Sequence, residues 1–209
     1  MSTSSPQTSR NISNIWAVGR NYADHAKELG NAPPPAGGEP MIFLKAGSSL
    51  VEAEKSFRLP SFTRDIHHEV EVALRFGPGL EFTEITIALD LTAREVQNKL
   101  KNLGHPWTLA KSFQASCPIG PLRPLPKTLN LKTIDFSLKV NGQLRQKGNT
   151  SDMIFDAQNL RSYLLERFPV VEGDLLLTGT PAGVGPVRPG DILEAEIAGL
   201  LKTTWQVEP

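Results

Sequence analysis

Glu69 and Glu71 flank a single residue, and Asp90 follows 19 positions after Glu71 in Leu89-Asp90-Leu91-Thr92-Ala93-Arg94. In an extended strand, residues two apart share a face, so the two glutamates point one way while Val70 and Val72 point into packing. Carboxylates so close repel. Without a counter-charge one would keep its proton, and a bound cation lets both ionise. Three oxygen ligands and no thiolate suit a hard ion, Mg²⁺ or Mn²⁺, better than Zn²⁺. Such an ion can stabilise an enolate. His25 and Glu28, three residues apart, share one face of a helix and form a second candidate group.

These side chains need elements to aim them. Asn21 to Gly30 has a capping Asn, an early acid and a closing Gly, which predicts a short helix. Asn31 to Pro40 is rich in Pro, Ala and Gly and predicts a mobile loop able to act as a lid hinge. Met41 to Lys45, His68 to Leu74 and Ile85 to Leu91 are strand-like, the last delivering Asp90. Thr92-Ala93-Arg94-Glu95 has the form of a capping box, with Val96, Leu100 and Leu103 at helical spacing until Gly104. Asn141-Gly142 predicts a hairpin between Asp135–Val140 and Gln143–Gln146. Asp156 to Arg167 predicts a second sizeable helix. Strands follow at Asp174 to Gly179, Asp191 to Ile197 and Leu201 to Val207, so strand exceeds helix.

With 209 residues, the chain is expected to form a single catalytic domain over 11–209 behind a disordered tail at 1–10. Lys plus Arg and Asp plus Glu number 22 each, so no basic field invites nucleic acid or an anionic membrane, and the expected partner is a small molecule. Cys117, the one cysteine, excludes an internal disulfide. No stretch approaches the roughly 18 apolar residues of a spanning helix, and Met1 to Arg10 lacks a secretory core. The expected compartment is the cytoplasm, with an organellar leader as the alternative.

Val18-Gly19-Arg20-Asn21-Tyr22, Phe43-Leu44-Lys45, His67-His68-Glu69-Val70-Glu71, Leu89 to Arg94, Trp107 to Phe113 and Thr178 to Gly185 together resemble the fumarylacetoacetate hydrolase family in order and spacing. The Trp107 to Cys117 run and Gly142 to Gln146 are most similar to its acylpyruvase and oxaloacetate decarboxylase subgroup. The resemblance implies a mainly β, α+β fold, a mixed sandwich or roll of the fumarylacetoacetate hydrolase C-terminal-domain type, assembled as a homodimer. It implies Mg²⁺ (or Mn²⁺) on Glu69, Glu71 and Asp90, with His25 and Glu28 activating water and Lys111 facing the bound ligand. Arg20, Lys45, Arg94, Gln97 and Thr180 are implied in or near the substrate pocket. The chain departs from the family in a connection from Glu71 to Asp90 that is shorter by about ten residues. It also carries Gln114 where many members have Asp, removing a possible anion near Lys111.

The chemistry implied is carbon–carbon bond hydrolysis of short 2,4-dioxo acids such as acylpyruvates and fumarylpyruvate, or decarboxylation of oxaloacetate, through a pyruvate enolate. Isomerisation or hydration of unsaturated 2-oxo acids uses the same enolate. Two other readings stay open: an iron oxygenase with His67, Glu69 and His105 as a facial triad, and a metal-dependent oxo-acid binding protein with little turnover. Taken singly, each feature also has a plain reading. Glu-x-Glu is ordinarily a solvated strand face, His25 and Glu28 an exposed helix face, and Lys45 and Lys111 surface lysines. His67 shares the parity of Glu69 and Glu71, which makes it a conceivable fourth ligand, and Cys117 has no neighbouring base to make it a nucleophile.

Overall fold

A computed structural model of the chain describes residues 12–28, 30, 35 and 38–209. The expected tail at 1–10, and residues 31–34, 36 and 37 of the expected hinge loop, lie outside the described residues.

The chain opens with β1 (Asn14–Gly19), α1 (Ala23–Glu28) and β2 (Met41–Ala46). Next come β3 (Ile66–His68), β4 (Val70–Phe76) and β5 (Phe82–Leu89), then α2 (Arg94–Leu103) and α3 (Thr108–Lys111). The remainder is β6 (Asp135–Val140), β7 (Gln143–Asn149), α4 (Ala157–Arg167), β8 (Leu175–Leu177), β9 (Ile192–Ile197) and β10 (Leu201–Val207). The fold is mostly β, with four α-helices among the described residues.

One sheet runs Arg123–Pro124, β5, β4, β8, β1, β2, and a second runs β7, β6, β9, β10, Ser56–Phe57. Alternation explains how they meet. Val70, Val72, Leu74 and Phe76 of β4 join Phe136, Leu138, Leu193 and Trp205 of the second sheet in one core. The opposite parity gives the first sheet a second buried face, where Ala73 packs with Ile15, Ala17, Leu175 and Leu177. That face is where the strand can also carry Glu71.

The short connection from Glu71 to Asp90 is an antiparallel hairpin with one register shift between Arg75 and Phe76, placing Glu71 opposite Ala88 and Val70 opposite Leu89. Its turn closes through Gly77 N–H to Glu81 O at 2.8 Å and places Gly79 at φ 68. Asp90 follows β5 directly and its N–H donates to Glu69 O at 2.8 Å. A longer loop is therefore unnecessary for bringing Asp90 to Glu69. The Asn141-Gly142 hairpin forms as expected, with φ of 52 and 74, and Asp156 caps α4 by accepting from Asn159 N–H at 2.8 Å.

Several expectations are corrected. Asn21 does not cap α1. Its amide donates to Phe155 O at 2.9 Å and Thr178 O at 2.8 Å and accepts from Phe155 N–H at 2.7 Å, bracing two distant loops. Thr92 pairs with His67 in a short ladder, and Ala93 precedes α2 with no side-chain cap. Of the apolar residues expected on one side of α2, Val96 and Leu100 pack half-buried against the core and Leu103 is exposed, while the fully buried residues are the polar Arg94 and Gln97. The strand read from His68 to Leu74 breaks at Glu69, which frees that carboxylate from strict strand geometry.

Asn21→Ala is expected to cost about 1–3 kcal/mol, because it strands buried backbone groups at Phe155 and Thr178 without partners. Urea melts at constant m-value check this. A change under about 0.5 kcal/mol would show that water replaces the amide.

Candidate active site

Glu69, Glu71 and Asp90 are buried, and one carboxylate oxygen from each lies within 4.8 Å of the others. β4 supplies Glu71, the break before it Glu69, and the end of β5 Asp90. Three cations surround the group. Lys111 Nζ donates to Glu69 Oε2 at 2.7 Å, Asp90 Oδ2 at 2.6 Å and the Thr92 hydroxyl at 2.6 Å. Lys45 Nζ donates to Asp90 Oδ1 at 2.8 Å and to the Lys111 carbonyl. Arg94 donates to Glu69 Oε1 and, at 2.8 Å, to Gln97 Oε1.

These partners divide the glutamates. Burial pushes the Glu69 carboxyl up, but Lys111, Arg94 and His25 outweigh it and hold the group below the usual carboxylate range. Glu71 has a neutral donor, the Gly179 N–H at 2.6 Å. Burial, then Asp90 and Glu69, raise its pKa well above the ordinary value. Gly179 serves this contact at φ 97 with Asn21 against it, so a side chain there meets both strain and a 2.7 Å clash. A hard-oxygen cluster with one under-neutralised carboxylate fits Mg²⁺ or Mn²⁺, with Glu69, Glu71 and Asp90 as the residues to hold it.

His25 lines the same cleft and is buried; its Nδ1 lies 3.4 Å from Glu28 Oε2. Burial lowers the His25 pKa despite the opposing pull of Glu69, which favours a neutral ring. Glu28 is fixed in turn by the Gly183 N–H at 3.0 Å. Arg20, Arg94, Gln97, Lys111 and Thr180 also line the cleft. The Thr180 hydroxyl is already engaged, donating to Val70 O at 2.8 Å and accepting from Gln146 at 2.8 Å.

Lys45 lies outside the lining: it is fully buried behind Asp90, where it neutralises a ligand candidate from the protein side. Gln114 is exposed and does not line the cleft, so its replacement of Asp removes no anion from the Lys111 ammonium. His67 turns to Asp65 at 3.0 Å and His105 is exposed. Among the described residues neither histidine joins the metal-competent group, which removes the fourth ligand and the iron triad. Cys117 is buried, and burial pushes its thiol up to about 12.

Sequence reasoning missed Met41, Phe43, Lys101 and Trp107 in the lining. Phe43 backs the Lys111 ammonium at 5.0 Å from its ring centre. A signal existed for Lys101, which lies four residues after Gln97 and seven after Arg94, on the same helix face. In the sequence Gln146 stands out only as the end of the Gly142 to Gln146 motif. It holds the entrance of β4 by accepting from Val70 N–H at 3.0 Å, with His68 Nδ1 2.9 Å from the same oxygen.

The mainly β fold gathers three carboxylates, Lys111, Arg94 and a buried histidine in one cleft, an arrangement able to carry out acid–base chemistry on a small molecule. Residues 14–208 match the fumarylacetoacetate (FAA) hydrolase C-terminal family model. The chain belongs to this family. It is 42% identical over 205 residues to the mitochondrial oxaloacetate tautomerase of Bos taurus, covering 93% of this chain and 91% of that one. Identity is also 42% over 197 residues to the mitochondrial oxaloacetate decarboxylase of Dictyostelium discoideum, covering 89% of each. The crystal structure of fumarylpyruvate hydrolase from Pseudomonas aeruginosa in complex with Mn²⁺ and pyruvate superposes with a TM-score of 0.87 at 31% identity, covering 94% of this chain and 90% of that one.

Proposed function

We propose that this protein is an enzyme of short 2-oxo acids working through the enol form of its substrate, with oxaloacetate the first candidate and keto–enol interconversion and loss of CO₂ its reactions. The observation that carries the reading is a buried, neutral-leaning His25 sharing a cleft with Glu69, Glu71 and Asp90. The named relatives act on the same acid. A bound Mg²⁺ or Mn²⁺ would supply Lewis-acid charge to stabilise the negative oxygen of the enolate.

The chain's own residues do the rest. His25 takes the proton from substrate C3 as the double bond moves to C2–C3 and delivers it to the 2-oxo oxygen to give the enol, the reverse steps giving the ketone; Glu28, anchored by Gly183, keeps the ring oriented and stabilises its protonated form. Lys111 and Arg94 keep Glu69 ionised and present fixed positive charge where the oxyanion develops. Phe43 and Trp107 exclude water from that charge.

A second reading, hydrolysis of acylpyruvates, is favoured by the His25–Glu28 pair and by the fumarylpyruvate hydrolase neighbour. There His25 takes a proton from water, hydroxide adds to the distal carbonyl, and the carbon–carbon bond breaks to give a carboxylic acid and the enolate of pyruvate. Reprotonation at carbon completes pyruvate.

His25→Ala is expected to lower tautomerisation and acylpyruvate hydrolysis at least about 10²-fold while leaving measurable oxaloacetate decarboxylation, which needs no base to begin. Following ultraviolet enol absorbance and pyruvate release in parallel checks this; equal loss of all three activities removes the separate role of His25. The acidic limb of kcat/KM is expected below the ordinary histidine value of about 6.5, since activity needs the neutral ring and its pKa is lowered. A homodimer belongs to the same proposal, as does a mitochondrial or cytoplasmic location, of which the mitochondrial names of the relatives support the first. Among the described residues no helix is long and apolar enough to cross a membrane. Light scattering and fractionation test both parts.

A further inference from the structure

A chamber adjoining the cleft is lined by Glu28, His67, Arg94, Asn98 and Lys101, and Arg94 and Lys101 line both spaces. Its charge balance is uneven. Around the cleft, ion pairs engage Arg94 and Lys111 with the carboxylates, but among the described residues Lys101 makes none. Its ammonium lies 5.3 Å from the Trp107 ring centre. Besides burial, Arg20, Arg94 and Lys111 lower its pKa. Glu28, the one carboxylate in the lining, is turned to His25 and Gly183.

The chamber also holds unmet donors or acceptors. Arg94 Nε and His67 Nδ1 are buried without hydrogen-bond partners among the described residues. Buried polar atoms cost free energy unless something satisfies them. A small anion in the chamber would meet the Lys101 ammonium directly, and a small shift of the Arg94 and His67 side chains would turn their unmet nitrogens toward it.

We propose that Arg94, His67 and Lys101 form a subsite for the distal carboxylate of a dicarboxylic substrate, with Lys101 deciding between dicarboxylic and monocarboxylic 2-oxo acids. The assignment deepens the oxo-acid reading and rests on it for the placement of the substrate's head group. Arg94 is committed to Glu69 and Gln97, so Lys101 is the cation left to select the second charge. The spacing along α2 supports this: seven residues, about two turns, put both side chains on one helix face, and both line the two spaces.

The test is calorimetric binding with Mg²⁺ present, using two pairs of unreactive or slowly reactive probes that differ by a carboxylate: malate against lactate, and 2-oxoglutarate against 2-oxobutyrate. The parent protein should bind the dicarboxylate of at least one pair about tenfold or more tighter than its partner. Lys101→Gln should erase that preference and Lys101→Arg should keep it. A parent protein that favours neither dicarboxylate overturns the proposal, as does a Lys101→Gln variant that keeps the preference. Oxaloacetate turnover on the same preparations separates the two claims. No turnover with an intact preference rejects the reaction and keeps the subsite, and turnover without preference rejects the subsite alone.

Discussion

Glu71→Gln is expected to abolish divalent-cation binding and to take oxo-acid turnover below that of the His25 variant, yet to leave the metal-free protein as stable as the parent or more so. The opposite signs follow from where the charges sit. Glu69 and Asp90 each have a lysine against them, whereas Glu71 has the Gly179 N–H. Burial, Asp90 and Glu69 therefore raise its pKa. Between the ordinary glutamate value of about 4.3 and that raised value, the folded chain binds more protons than the unfolded one, so metal-free stability falls as pH rises through the window. Glutamine removes that fall. Each kcal/mol of relieved repulsion should raise the metal-free Tm by about 2–4 °C.

Metal reverses the argument, because the cation takes the place of the proton on Glu71. In the parent the Tm gain from Mg²⁺ or Mn²⁺ should therefore grow with pH. At a metal concentration about 100 times the parent Kd, that gain is about 2.7 kcal/mol, or about 5–10 °C. Losing a ligand should weaken binding by more than about 100-fold, since changes to groups behind a ligand already cost 10–100-fold, so the variant's gain should vanish. Thermal melts with and without metal across pH 5–8 read both effects. A Glu71→Gln protein that still gains the parent's increment would remove Glu71 from the ligand set.

Much of this arrangement was legible because strand periodicity and turn chemistry are local. Val70 and Val72 alternate with the glutamates, Asn141-Gly142 closes a hairpin, and Asp156 starts a helix, each within a few residues of its cause. What escaped was set at long range. Asn21 is a residue type that caps helices, but its partners lie at Phe155 and Thr178. Lys45, expected in or near the substrate pocket, sits behind its wall with its ammonium against Asp90. Nothing local distinguishes Glu69 from Glu71; Lys111 and Arg94, arriving from α3 and α2, ionise one and leave the other holding its proton more tightly. Arg94 and Gln97 do line the cleft, but that they are buried is set at long range too, since Arg94 meets Glu69 there and Gln97 is held by Arg94.

Lys111→Met should lower metal-free stability by about 3–5 kcal/mol, or about 6–20 °C in Tm, the cost of leaving buried carboxylates without their cation. Lys111 Nζ spans Glu69 and Asp90, and although burial works against its charge, those two carboxylates raise its pKa and keep it protonated. Lys45→Met should cost a similar amount, because Lys45 is fully buried and its loss takes from the buried Asp90 one of its two lysines. Turnover should separate the two lysines. Lys111 faces the cleft, where negative charge develops on the substrate, so its loss should reduce turnover severely even in folded protein saturated with metal. Lys45 acts through Asp90 from outside the lining, and its loss should fall chiefly on stability and metal affinity. Adding Mg²⁺ should restore more stability to Lys111→Met than it adds to the parent, since the cation takes over Glu69 and Asp90. Urea melts with and without Mg²⁺, paired with turnover at saturating metal, measure all three quantities. Equal turnover losses in the two folded variants would mean that Lys111 only supports the carboxylates and does not act on the substrate.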